Sequence, residues 1–178
     1  MNTKRIKGFK AVFCPKPKIL ILGTLPGPAS LKHRDDTKQE EYYCDSRNAF
    51  WKVIAALKGE DAKTLNYRAK KKILREYHIA IWDICESAER ESAADSKIKN
   101  EIYNPIFTSL KKHPTIKKVV FNGKSGAVWR RFKRVYKKEM QLAKDNDGVD
   151  FIPLDFTTNR CGFEKLKEEW LPILQSKA

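Results

Sequence analysis

The stretch Lys18-Ile19-Leu20-Ile21-Leu22-Gly23-Thr24-Leu25-Pro26-Gly27-Pro28 decides the fold. Ile19 to Leu22 are apolar without a break, so the strand they form has no polar face and must be covered on both sides. The Gly- and Pro-rich run behind it ends the strand in a rigid turn. Three further runs share this character: Ile79 to Ile84, Lys117 to Asn122 and Val149 to Leu154. Strands of this kind belong to a parallel sheet.

Helical patterns separate them. Phe50, Val53, Ile54 and Leu57 recur at i, i+3, i+4, i+7 and predict an amphipathic helix from about Ser46 to Lys58. A basic helix is expected from Asn66 to Glu76. Another, from Gly126 to Leu142, sets Trp129, Phe132, Tyr136 and Met140 on one face. A last one runs from Gly162 to Gln175 with Phe163, Leu166, Trp170 and Leu174 inward. Strands alternating with helices imply right-handed crossovers. The fold class expected is α/β: a three-layer α/β/α sandwich around a central four-stranded parallel sheet, as one domain over residues 1–178. Pro28 to Glu41 reads as a charged surface loop.

Lys and Arg total 37 against 22 Asp and Glu, a net charge of +15. Such an excess favours a polyanionic partner, and aromatics interleaved with the charge favour nucleic acid over a merely solvated basic surface. No apolar run approaches the ~20 residues that would span a membrane. The basic segment Met1 to Lys7 is not followed by an apolar stretch, so no signal peptide is read. The expectation is a cytoplasmic monomer, nucleoid-associated in a bacterium, without a membrane partner. Cys14, Cys44, Cys85 and Cys161 form no C-x-x-C pair and read as free thiols. His33, His78 and His113 are scattered, and no metal or cofactor is expected.

In open α/β sheets, ligands bind beyond the carboxyl ends of the strands. Here those segments are Gly23–Ala29, Asp83–Glu89, Asn122–Gly126 and Leu154–Arg160. Asn122-Gly123-Lys124-Ser125 has the ending of a phosphate-binding P-loop, but Lys118 stands where the motif needs its first Gly. A turn whose Lys124 and Ser125 amides touch a DNA phosphate suits it better. Asp83 either caps the segment beginning at Ile84 or reads a ring N–H. Tyr42 and Tyr43 are core residues or site residues. Asn48 either decorates the first helical turn or offers its amide to a flat polar ring; Asp45 and Ser46 are better placed to cap, which leaves Asn48 for the ring. Arg130, Arg131, Lys133, Arg134, Lys137 and Lys138, with Arg68, Lys70, Lys71, Lys72 and Arg75, are candidates for phosphate contact.

In this order, the motifs resemble the uracil-DNA glycosylase superfamily, most closely its hypoxanthine (deoxyinosine) DNA glycosylase branch. Gly23-Thr24-Leu25-Pro26-Gly27-Pro28 resembles the first motif, and Tyr42-Tyr43 through Arg47-Asn48-Ala49-Phe50-Trp51 the aromatic segment before the first long helix. Ile79 to Arg90 with Asp95-Ser96 resembles the branch's middle region, and Val119 to Lys124 its third strand and turn. The resemblance implies a monofunctional glycosylase that flips a deaminated base (hypoxanthine, or uracil or xanthine) out of duplex DNA and hydrolyses its glycosidic bond without a lyase step. It implies catalysis by Asn48, stacking on Tyr43, and base contact by Gly23, Thr24, Leu25, Pro26, Gly27 and Asp83. It also implies DNA contact by Lys124, Ser125, Thr158, Asn159 and Arg160. Two departures stand out. Leu25 occupies the place where mismatch-specific relatives carry a water-positioning Asn. In the second-motif loop, Ile152 to Arg160, Pro153 and Arg160 fit while Leu154, Asp155 and Phe156 do not. A non-catalytic DNA-binding relative and a nucleoside or nucleotide N-glycosidase are the rival readings.

Overall fold

The computed structural model describes residues 5–90, 97–124, 126–158 and 162–176. Four strands, β2 (Ile19–Gly23), β3 (Ile79–Asp83), β6 (Lys118–Asn122) and β7 (Asp150–Leu154), form a parallel sheet in the order β3-β2-β6-β7. In register, Ile21 faces Ile81 on one side and Val120 on the other. The central strand is buried along its whole length, as its unbroken apolar run demands.

Strand alternation divides the interior into two cores. Ile19, Ile21, Ile79, Ile81 and Val120 point to one face. There they meet Phe50, Val53 and Ile54 of α2 (Phe50–Ala56), Ile73 and Leu74 of α3 (Tyr67–Glu76), and Leu166, Trp170 and Leu174 of α7 (Phe163–Gln175). Leu20, Leu22, Ala80, Val119 and Phe121 point to the opposite face. They meet α4 (Ile106–Lys112), α5 (Ala127–Val135) and α6 (Lys137–Asp147). This is the three-layer α/β/α sandwich.

The structure corrects four boundaries. The charged segment after Pro28 is not a loop: it holds α1 (Pro28–Thr37), started by Pro28 at its first position behind Gly27. The helix expected from Ser46 begins only at Phe50 and is seven residues long. The segment before it is instead bound across to the far end of the chain. The helix expected from Gly126 to Leu142 breaks at Tyr136, whose φ of −119° is not helical. Finally, β1 (Arg5–Lys7), β4 (Cys85–Arg90) and β5 (Ile98–Tyr103) form a separate antiparallel sheet in the order β1-β4-β5. It is reached directly from β3: the Ile84 and Cys85 N–H groups donate to the Gly23 and Thr24 carbonyls at 2.9 and 3.1 Å. Asp83 therefore has no helix to cap, because a strand follows it.

Among the described residues, no helix is long and apolar enough to cross a membrane. Cys14 and Cys85 are buried thiols and Cys44 is half-buried; Cys161 lies outside the described residues.

Candidate active site

The carboxyl ends of the parallel strands open into a pocket of about 580 Å³. Gly23, Thr24, Leu25, Pro26 and Gly27 form one wall, Tyr43 and Asn48 another, and Asp83 and Thr158 complete it. All the residues expected to bind the base thus face one cavity. Of the DNA-contact set, Thr158 is at this cavity and Ser125, Asn159 and Arg160 lie outside the described residues. Lys124 is engaged, its ammonium 3.0 Å from Glu169 and 3.1 Å from Asp155.

Asn48 does more than face the pocket. Its Oδ1 accepts the Phe50 N–H at 2.9 Å, so Asn48, and not Asp45 or Ser46, caps the start of α2. Only an oxygen can accept from a backbone N–H, which fixes the orientation of the amide. The Nδ2 group remains as the donor that Asn48 offers to the pocket. The seat is held from the other side as well. Asn48 bridges Thr158, and the Ala49 N–H donates to the Thr157 carbonyl at 2.7 Å. Thr157 is fully buried and clamped by Asn122: its N–H donates to Asn122 Oδ1 and its Oγ1 accepts from Asn122 Nδ2, both at 2.9 Å. The end of β6 therefore sets the position of the amide through the loop after β7.

Tyr42 and Tyr43 separate into the two roles their types allow. Tyr42 is core, with its hydroxyl donating to the Phe9 and Lys10 carbonyls and its own carbonyl accepting from Trp51 Nε1 at 2.7 Å. Burial pushes its phenol far above the usual range. Tyr43 takes a left-handed φ of 58°, uncommon for an aromatic residue, and this turns its ring to the pocket. Phe50 stacks behind it, centroids 4.0 Å apart and planes at 23°. Phe50 is itself fixed edge-on by Trp51 and Trp170. Tyr43 is thus a braced flat surface at the pocket wall.

Gly23 is required at its position. A Cβ there would lie 2.5 Å from Asp83 Oδ1 and 3.1 Å from the Tyr43 hydroxyl. The missing side chain lets a carboxylate and a phenol close in on the strand end. Asp83 is 3% exposed, and its carbonyl accepts from Asn104 Nδ2 at 2.8 Å.

Three lining residues escaped sequence reasoning. Arg90, at the end of β4, is buried and donates from Nη1 to the Pro26 carbonyl at 2.7 Å. An Arg in a short, mixed-polarity strand reads as solvated, and only the antiparallel sheet turns it inward. Phe156 fills the space over Gly123 and Gly126, where Cβ atoms would approach its ring to 2.4 and 2.0 Å. The pair of glycines was a signal that something packs there. Asn122 read only as part of a turn.

At the rim, Arg47 is 87% exposed on its side chain and grips Asp45 with two hydrogen bonds, 3.0 and 2.8 Å. Those bonds hold the Asp45 carboxyl down to about 2. A second cluster lies beside the site. Half-buried His33, Glu41 and Cys44 bring donor atoms within 4.8 Å of one another, although their sequence positions suggested no such grouping. Glu41 already serves Lys70 at 3.3 Å and His33 at 3.7 Å, and the Cys44 thiol donates to the Glu41 carbonyl. Burial, then Glu41, raise the Cys44 thiol above its ordinary value, which disfavours the thiolate a metal would need.

An α/β/α sandwich with an amide, a braced aromatic and a Gly-Pro turn at its strand ends is the arrangement of the uracil-DNA-glycosylase class, and the comparisons agree. A solution NMR structure of a candidate uracil DNA glycosylase from Methanosarcina acetivorans superposes with a TM-score of 0.73 at 26% identity, covering 97% of this chain and 98% of its own. Hypoxanthine DNA glycosylase of Methanosarcina barkeri is 31% identical over 164 residues, 92% of this chain and 94% of that protein. That of M. acetivorans is 30% identical over 145 residues, 81% and 87% of the two chains. No family model matches. The chain belongs to the hypoxanthine DNA glycosylase family and is a DNA N-glycosylase. The two rival readings are set aside on these grounds.

Proposed function

We propose that this protein, acting as a monomer on duplex DNA, flips out hypoxanthine and hydrolyses its bond to deoxyribose. The observation that carries this reading is the Asn48 amide, capped through Oδ1 and so presenting Nδ2 to the pocket. Extruding a base costs a few kcal/mol, least where pairing is already poor. Stacking on Tyr43 returns about 1–3 kcal/mol of that cost. Asp83 accepts the ring N–H that hypoxanthine carries beside its carbonyl. Uracil and xanthine carry the same pair of groups, and a pocket of about 580 Å³ has room for a bicyclic ring.

As the glycosidic bond breaks, the departing base gains negative charge. A preorganised amide donor stabilises that charge without transferring a proton. The α2 helix is too short to contribute much by its dipole, so the amide carries this task. The carbonyls of Gly23, Thr24, Pro26 and Gly27 already accept hydrogen bonds, so the turn meets the base chiefly through N–H groups. No lysine lines the pocket among the described residues, which supports hydrolysis without a lyase step. The test is release of free base from duplexes carrying inosine, uracil or xanthine, with alkali cleavage of the product strand. Asn48→Ala is expected to slow release by about 10²-fold or more with DNA affinity nearly unchanged. Near-normal turnover would remove Asn48 from the mechanism.

A further inference from the structure

Resting on the glycosylase reading above, we infer that Arg90 is a further catalytic residue, the buried cation that faces the negative charge of the departing base. Two guanidiniums line the pocket among the described residues, Arg47 and Arg90. Arg47 is at the solvent rim, 87% exposed on its side chain, and is committed to Asp45. A charge so placed is screened by water and contributes little inside. Arg90 is 9% exposed, so its field is felt through protein rather than solvent.

The pocket also contains Asp83, 3% exposed, whose charge opposes an anion forming beside it. A carboxylate can read the ring N–H only if the same pocket offsets that repulsion once the base becomes negative. Arg90 is built to supply the offset. It comes from the antiparallel sheet, which otherwise adds nothing to the parallel-sheet pocket. Its Nη1 donates to the Pro26 carbonyl at 2.7 Å, which fixes the guanidinium against the first-motif turn. Nη1 is only one of the guanidinium's nitrogens, and the group is always charged. In the reaction, the C1′–N bond breaks with its electron pair going to the base, and Arg90 stabilises that anion. Water adds to C1′, and the base acquires the proton that water gives up.

The alternative is that Arg90 merely holds the turn. Two substrates separate the roles: duplexes with hypoxanthine and with 8-azahypoxanthine, a ring of the same shape that is a better leaving anion. With Arg90→Gln, single-turnover release of hypoxanthine is expected to fall about 10²-fold. Release of 8-azahypoxanthine should fall much less, so the ratio of the two rates rises above wild type. Arg90→Lys keeps a cation and should keep the wild-type ratio. If R90Q slows both substrates by one factor, the electrostatic role is overturned and only the clamp on Pro26 remains. Should R90Q fail to melt cooperatively, R90K decides alone: a ratio raised well above wild type despite its retained charge would overturn the proposal. Absence of release of either base by the wild-type chain would instead sink the glycosylase reading itself, before Arg90 is considered.

Discussion

Asn48 combines a structural and a chemical duty in one amide, and its two atoms separate them. Asn48→Asp keeps an oxygen for the Phe50 N–H, so the cap and the melting temperature should survive. The substitution removes both N–H donors and puts a negative charge beside the leaving base. Base release should drop by about 10²-fold or more, and wild-type rates from this variant would mean that the donor is not used. At the rim, Asp45→Asn should release Arg47 for phosphate. Duplex affinity then rises, and the slope of log affinity against log salt steepens by up to about 0.9; an unaltered slope would show that Arg47 never meets DNA. The pH dependence has a definite sign. The Asp45 carboxyl is lowered from 3.8 to about 2 by its bonds to Arg47, so its contribution to stability is present above 3.8 and lost as pH falls toward 2. Acid titrations of wild type and Asp45→Asn should converge in that interval. At this scale the sequence was readable where a residue type has few uses in a pocket, as with Asn48, Tyr43 and Gly23. Arg90 and Asn122 were not readable. Their types are common on surfaces and in turns, and only distant elements give them their surroundings.

Between elements, the clamp of Asn122 on Thr157 joins β6, the loop after β7 and the start of α2. Asn122→Ala leaves the Thr157 N–H buried without its acceptor, at a cost of about 1–3 kcal/mol. For a chain of this size, each kcal/mol lowers the melting temperature by roughly 2–4 °C. Calorimetry should show that loss, and base release should fall further than the lost stability explains, because Asn48 is no longer held from behind. A variant that melts early yet cleaves normally would uncouple the clamp from the site. The four parallel strands were legible because a strand buried on both faces cannot hide its composition. The antiparallel sheet was not: Arg5-Ile6-Lys7 is three residues long, and β4 pairs with β5 through two register shifts. The break at Tyr136 was invisible for another reason. Phe132, Tyr136 and Met140 continue one apolar stripe across it, and periodicity reports the stripe, not the hinge.

For the whole molecule, a charge of +15 predicts non-specific duplex binding that weakens steeply with salt. Arg130, Arg134 and Lys137 are exposed on α5 and α6, whereas Arg131 is turned inward to Glu101 and the Ile98 carbonyl. Replacing the three exposed residues together should flatten the salt slope if this face meets the duplex; an unchanged slope in a fluorescence titration would place it away from DNA. The bridge between Asn48 and Thr158 has one more consequence, in time rather than space. It joins segments separated by most of the chain, and contacts of such long sequence separation close late, after the entropy of the intervening loop has been overcome. A nascent chain still on the ribosome can complete its first strands and helices while the segment that aims the amide has yet to be synthesised. The fold thus withholds base removal until synthesis is nearly finished, and an unfinished copy that drifts onto DNA by its charge alone leaves the bases untouched.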